Sequence, residues 1–420
     1  MKRFVWTCGL TVLALIPALV SADDWLEFRG PGGAGISRAE GLPDRWTDDE
    51  NVAWKQTIPG KGWSSPVVVK GKIFLTTAVP DGEGDAPAQS LRVVCVDEAS
   101  GRIEWNQELF QQPEGQRVHP KNSHASATPV CDGKHLYVHF GTWGTACLEL
   151  DGTVVWKMTG LKYQPVHGNG GSPVLFEDLL IMNCDGADQQ FVVALDRKDG
   201  QERWRYNRSL EPAKGFAFCT PLLVEVDGKL QLISSGADAV VGLVPQTGEE
   251  IWKVRYKGGY SVVPRPVAGH GMVFVCTGYD TPTLLAIRLS GARGDVTESH
   301  VAWKLAKRVP LNPSPLLVDD LLYLVSDDGV MSCVEAVSGD AVWQQRIGGA
   351  YSSSPTLANG RIYVQSEAGE TLVLQPGREF VELARSQVGE RTFASYAISA
   401  GSIYLRTESR LLRLERSRAQ

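Results

Sequence analysis

Tryptophans recur along this chain at Trp54, Trp105, Trp156, Trp204, Trp252, Trp303 and Trp343, at intervals of 51, 51, 48, 48, 51 and 40 residues. A fixed period of this length restricts a 420-residue chain to a repeat architecture. The local context recurs as well: VDEASGRIEW (96–105), LDRKDGQERW (195–204), VPQTGEEIW (244–252) and VEAVSGDAVW (334–343). Glycine stands four residues before the tryptophan at Gly101, Gly152, Gly200, Gly248 and Gly339. This spacing predicts a hairpin: a strand ends, glycine supplies a positive φ, and the next strand carries the indole.

Each unit has a second signature upstream. A small or polar residue precedes a proline and an apolar run, as at Ser65-Pro66, Thr128-Pro129, Ser172-Pro173, Thr220-Pro221, Arg265-Pro266, Ser314-Pro315 and Ser354-Pro355. Proline is tolerated at the first position of a strand, where no ladder donor is needed. A turn and another strand usually follow, so each unit reads as four short strands. Four antiparallel strands per 40–51 residues describe the blade of a β-propeller. The recurrent tryptophan is expected to pack between adjacent blades.

Seven units follow residue 60, and the seventh lacks the tryptophan, with Val381 four residues after Gly377 in its slot. An eighth supplies three strands from Phe393 to Leu414 and then the chain ends, while the strand around Trp54 has no partners before it. The expected fold is therefore all-β: an eight-bladed β-propeller of four-stranded antiparallel blades, closed by the N-terminal strand pairing with the last blade. Residues 51–416 form the propeller and 23–50 an N-terminal extension.

Residues 1–22 read as a signal peptide, with Lys2 and Arg3, an apolar stretch, and small residues before a cut after Ala22. The expected location is periplasmic or secreted, with no transmembrane segment once the signal is removed. The remaining chain carries a formal charge of −8, which argues against nucleic acid as a partner. Its seven cysteines are odd in number and include no C-x-x-C, so buried free thiols are expected rather than a disulfide framework. Gly30-Pro31-Gly32-Gly33-Ala34-Gly35 fits G-x-G-x-x-G formally, but follows no strand and opens no helix, so it is not read as a nucleotide site.

The repeat Leu/Val-Asp…Thr/Ser-Gly…Trp resembles the quinoprotein (PQQ-type) propeller family over nearly the whole mature chain. Trp25-Leu26-Glu27-Phe28-Arg29-Gly30-Pro31 is similar to the leader of exported bacterial PQQ-repeat proteins. The family implies two branches: PQQ-dependent dehydrogenases, and the non-catalytic propeller lipoprotein of the outer-membrane β-barrel assembly machine. The adjacent cysteine pair of the dehydrogenases is absent, as is a C-x-x-C-H haem site. No cysteine follows the cut, so the lipid anchor of the second branch is not indicated either. The resemblance favours the assembly-machine branch: a monomeric, non-catalytic binding or assembly scaffold that takes a protein or small-molecule ligand on its funnel face. No cofactor or metal is expected and no catalytic residue is singled out. The alternative is a divergent PQQ-dependent oxidoreductase holding PQQ with Ca²⁺.

In a propeller the loops entering the innermost strands and those between strands two and three share one face. In this chain they carry Lys121, Asn122, His124, Trp143, His167, Asn169, Asp185, Asp188, Arg265, Tyr279, Asp280 and Asp327, the expected ligand-binding set. A metal or acid–base centre would draw on His124 and His167 with Asp185 or Asp188. Polar loops capping the funnel are the preferred reading. His135 and His139 share a strand face and are assigned to packing.

Overall fold

The structure is a computed structural model that describes residues 24–47 and 49–417. The expected signal peptide lies outside the described residues. Among the described residues eight blade sheets follow one another around a closed ring, and a ninth, two-stranded sheet pairs Gly259–Tyr260 with Tyr279–Asp280. Blade 1 consists of Val67–Val69, Lys72–Asp81, Ala88–Asp97 and Ile103–Gln112. Blades 2 to 7 begin at Val130, Val174, Leu222, Val267, Leu316 and Thr356. Blade 8 takes three strands from Ala397–Glu415, and Val52–Thr57 completes it by antiparallel pairing with Arg410–Glu415. The predicted closure is therefore present: the first and last strands of the described residues share one sheet, which removes a free sheet edge. Blade 4 departs from four strands, because Gly294–Asp295 adds a short parallel strand outside Trp252 and Lys253.

Burial falls from the axis outward. The innermost strand Val67–Val69 is buried at every position, whereas the outermost strand Val52–Thr57 alternates. Apolar clusters form mainly between blades. One joins Phe74 and Leu91 of blade 1 to Leu136 and Val138 of blade 2, and another joins Phe274 and Leu284 of blade 5 to Leu322 and Leu324 of blade 6. Each blade thus needs its neighbours to bury its two faces.

The tryptophan pattern serves this packing. The Trp156 ring lies over Gly200 of the next blade, and its Nε1 donates to the Arg197 carbonyl at 2.9 Å. A Cβ at Gly200 would stand 2.6 Å from that ring, and φ there is 74°. Glycine is required twice over, for the turn and for the indole. Trp54, Trp204 and Trp303 repeat the arrangement over Gly101, Gly248 and Gly339. Within its own blade each of the six later tryptophans faces a small residue: Cys95, Cys147, Ala194, Gly242, Ala286 and Cys333 pair with Trp105, Trp156, Trp204, Trp252, Trp303 and Trp343, whereas Trp54 pairs with Arg413. Three of the cysteines are there as small apolar partners of an indole. All seven described cysteines are buried and free, as expected.

Trp252 departs from the rule. It is fully buried, and its Nε1 donates to Gln231 Oε1 within the same blade at 2.8 Å. The slot in blade 7 also differs from the sequence reading. Ala384, not Val381, pairs with Val373 at the tryptophan position, and Val381 pairs with Gln375 and is exposed. The turn is longer in this blade, so counting four residues from Gly377 lands early; a larger Val opposite Ala keeps the pair filled.

Residues Trp25 to Ser37 cross the ring beneath the innermost strands. Trp25 pairs with Val68 of blade 1, the Leu26 carbonyl accepts from Cys131 N of blade 2, and Ser37 N donates to Leu357 O of blade 7. The buried Arg29 reaches Pro315 O of blade 6 at 2.8 Å. The glycine-rich run is a single 3-10 turn at Pro31–Gly33 inside this crossing segment. The chain then follows blade 7 outward, where Trp46 N donates to Ser386 Oγ at 3.0 Å, and enters blade 8.

Candidate functional site: the funnel face

The second residue before each blade's first strand builds the floor of the funnel. Ser65 N donates to Thr128 Oγ1 at 2.9 Å, Thr128 N to Ser172 Oγ at 2.9 Å, and Ser172 N to Thr220 Oγ1 at 3.0 Å. On the far side Arg265 N donates to Ser314 Oγ and Ser314 N to Ser354 Oγ, both at 3.0 Å. Ser354 N donates to Ser395 Oγ at 2.9 Å, and Ser395 N closes the ring on Ser65 Oγ at 3.2 Å. Every one of these bonds links one blade to the next. Proline follows most of these positions, which leaves the hydroxyl as the acceptor for a backbone donor from its neighbour.

The belt breaks once, between Thr220 and Arg265. The Arg265 side chain turns below the floor. It donates to Pro221 O at 3.1 Å and Phe28 O at 2.7 Å, and pairs with Glu27 at 2.8 Å. It is 2% exposed, so it clamps the crossing segment rather than facing a ligand.

Above the belt lies a cavity of about 590 Å³ with Phe28 among its lining residues. This is the size of a small-molecule site. Rings form one wall. His119 and His167 lie 5.1 Å apart between centroids, His167 and Phe216 5.0 Å, Phe216 and Tyr260 5.3 Å, and Tyr260 and Tyr279 6.2 Å. Trp63 and Phe393, 4.7 Å apart, belong to the opposite side, in blades 1 and 8.

Lys121 bridges the mouth. It leaves the loop between blades 1 and 2, yet meets Glu367 of blade 7 at 2.8 Å and Asp327 of blade 6 at 3.8 Å. Burial works against its ammonium, but the two carboxylates outweigh it and hold its pKa above the ordinary lysine value. Asp327 accepts from Leu311 N at 2.9 Å, from Asn312 N at 3.1 Å and from the Asn312 side chain. Burial nevertheless pushes the Asp327 carboxyl up from its usual range. Asn312 also donates to Tyr279 Oη at 3.1 Å, and Glu367 accepts from Ser352 Oγ at 2.7 Å. Burial, then the neighbouring His119, keeps His167 below the usual histidine value.

Of the residues predicted from sequence, Lys121, Asn122, His167, Tyr279 and Asp327 are brought together around this cavity. Asn122 steadies the wall by donating to His167 O at 2.8 Å. The others stand elsewhere. His124 is half-buried in the Lys121 loop, where burial lowers its pKa, and it does not line the cavity. Trp143 packs against the apolar cluster between blades 1 and 2. Asn169 accepts from Tyr163 Oη at 3.1 Å. Asp185 is fully buried in a two-point pair with Arg208 at 2.7 and 2.9 Å. Asp188 caps the backbone N–H of Gln164 at 2.7 Å, and Asp280 pairs with Lys214 at the exposed rim at 2.8 Å. The expected ligand-binding set lacks Phe28, Phe218, Tyr260, Asn312 and six hydroxyls of the belt, all of which face the cavity. His139 is buried against Thr145 Oγ1 at 2.8 Å, in keeping with a packing role.

Among the described residues no group of three or more His, Cys, Asp or Glu side chains gathers in a way that could hold a metal. The PQQ and Ca²⁺ of the dehydrogenase branch would need free oxygen donors beside the quinone. Here the two carboxylates at the mouth are already engaged, Asp327 by three N–H donors and Glu367 by Lys121 and Ser352. The donor set does not fit that group.

Fold and site together define a ring-closed propeller of PQQ-type repeats with a small-molecule-sized funnel. Residues 89–304 and 293–408 match the family described as outer membrane protein assembly factor BamB, and the chain belongs to that family. An outer membrane protein assembly factor BamB from Marinobacter adhaerens is 26% identical over 161 residues, covering 36% of this chain and only 38% of that protein. Among solved structures, BamB from Moraxella catarrhalis superposes with a TM-score of 0.59 at 12% identity, over 86% of this chain and 99% of that one. Quinohemoprotein alcohol dehydrogenase from Comamonas testosteroni superposes with a TM-score of 0.66 at 12% identity, over 96% and 82%. At such identities the likeness is one of fold.

Proposed function

We propose that this protein is an exported, non-catalytic binding or assembly scaffold that engages its ligand or partner through the funnel face. Membership of the BamB family supports the scaffold class. The observation that carries the reading is the state of the charged groups at the funnel. Lys121, Glu367, Asp327 and Asn312 satisfy one another across blades 2, 6 and 7. A catalytic set needs a nucleophile, acid or base held ready for a substrate. A binding face needs shape, aromatic surface and fixed polar groups, and these are what the funnel offers. No helix among the described residues is long and apolar enough to cross a membrane. The protein is read as a monomer acting in the periplasm or outside the cell.

Site-specific photocrosslinking in the source cell tests this. A photoreactive side chain at Tyr260, in the funnel, is expected to capture a discrete partner or ligand, and one at Val381, on the outer edge of blade 7, is not. The reverse pattern, or steady substrate turnover by the purified protein alone, would sink the proposal.

A further inference from the structure

The lining of the funnel narrows the class of ligand. Six belt hydroxyls, those of Ser65, Thr128, Ser172, Thr220, Ser354 and Ser395, line the cavity. Each oxygen already accepts a backbone N–H from the neighbouring blade. A serine or threonine hydroxyl has one proton to donate, so the floor presents a ring of O–H donors from six blades. Its natural complement is a ligand bearing several acceptor oxygens. His119, His167, Phe218, Tyr260 and Tyr279 line the cavity, and the buried Phe216, which does not line it, links His167 to Tyr260 in a continuous run of ring contacts. Such a surface takes a flat, partly apolar face.

Charge then separates the possible ligands. Among the described residues that line the cavity Lys121 is the one lysine, and it is held by Glu367 and approached by Asp327, so two carboxylates answer one ammonium there, while Arg391 is drawn off over the Phe393 ring. The buried Arg265 lies below the floor and spends its donors on Pro221 O, Phe28 O and Glu27. An anion would meet carboxylates at the entrance and find no uncommitted cation inside. A neutral ligand meets no such cost. Phe28 and the crossing segment also close the bottom, so a polymer cannot thread through.

Resting on the reading of the funnel as a binding face, we infer that it binds a neutral carbohydrate, a free disaccharide or the end of a glycan chain. One ring would stack on Tyr260 and Phe218, with its oxygens toward the hydroxyl belt. Asn122 and Asn312 also line the cavity, their amides fixed separately by His167 O and Tyr279 Oη.

Calorimetric titration of the purified chain tests this with maltose, cellobiose and N,N′-diacetylchitobiose, and with digalacturonate as the anionic counterpart. At least one neutral disaccharide is expected to bind one-to-one with a Kd on the order of 0.1–1 mM. Digalacturonate is expected to bind at least about tenfold more weakly. Tyr260→Ala and, independently, Phe218→Ala should each weaken the neutral ligand about tenfold while the melting temperature stays near that of the parent chain. Either variant suffices if the other misfolds. Failure of all three neutral sugars to saturate, or tighter binding of digalacturonate, overturns the carbohydrate assignment. The scaffold reading has its own readout, the crosslink at Tyr260, which a protein partner would still give.

Discussion

Two belts hold this ring together, and they differ in how they tolerate exceptions. The outer belt is apolar. Indoles of one blade dock over turn glycines of the next, with small residues opposite, and a missing tryptophan in blade 7 is absorbed by Val373 against Ala384. The inner belt is polar. Hydroxyls of one blade accept N–H groups of its neighbour, and its one break is filled by a buried arginine that ties down the segment crossing the ring. Apolar packing is non-directional, so substitution in the outer belt is met by volume. A buried donor has to be matched one for one, so the inner belt can change only by installing a new polar clamp.

The sharpest test of the outer belt is Trp204→Ala. Removing a buried indole and its bond to Pro245 O (3.1 Å) should cost about 3–5 kcal/mol, read as a fall in denaturation midpoint. A loss under about 1 kcal/mol would mean that the repeated tryptophan is incidental. Arg265→Ser probes the inner exception. It restores the hydroxyl pattern but orphans the Glu27 carboxylate and the Phe28 carbonyl. The expected cost is about 3 kcal/mol, with faster proteolysis within residues 24–46. A neutral result would make the break a mere lapse in the repeat. Ser172→Ala leaves Thr128 N without its acceptor and should cost about 1–2 kcal/mol, less than either. If it cost more than Trp204→Ala, the ranking of the two belts would be inverted.

A pH effect of similar size is expected behind the funnel wall. Burial holds His139 at about 3, whereas the unfolded chain protonates it near 6.5. The unfolded state therefore binds the extra proton first. Stability conferred by neutral His139 is complete above pH 6.5 and is lost toward about pH 3, by about 1.4 kcal/mol per unit. The measurement is melting temperature against pH from 7 to 5, where His139→Gln should flatten the slope; an unchanged slope would place the titration elsewhere.

The outer belt was readable in the sequence because it repeats locally. Glycine and tryptophan lie four residues apart within one hairpin, and the period counts the blades. The closure by Val52–Thr57 was readable for the same reason, as a tryptophan strand without partners. What sits opposite each indole was hidden, since Cys95 or Ala286 says nothing of its cross-strand neighbour until the register is known. At the funnel, five of the predicted residues converge on the cavity. Asp185 does not, because its partner Arg208 leaves the end of the same blade's last strand and covers it, a pairing no motif announces. The bridge from Lys121 to Glu367 spans more than half the length of the chain, and only the closed ring brings the two together. Ser and Thr before proline were visible as strand starts, but their role as acceptors for the adjoining blade depends on ring geometry.

The most direct test of the central claim, that this propeller binds without a quinone, is calorimetric titration of the metal-stripped chain with PQQ, with and without Ca²⁺. The account predicts no saturable heat in either case, because Asp327 and Glu367 are already engaged. Saturable binding in the micromolar range or tighter, strengthened by Ca²⁺, would contradict it and return the protein to the oxidoreductase branch.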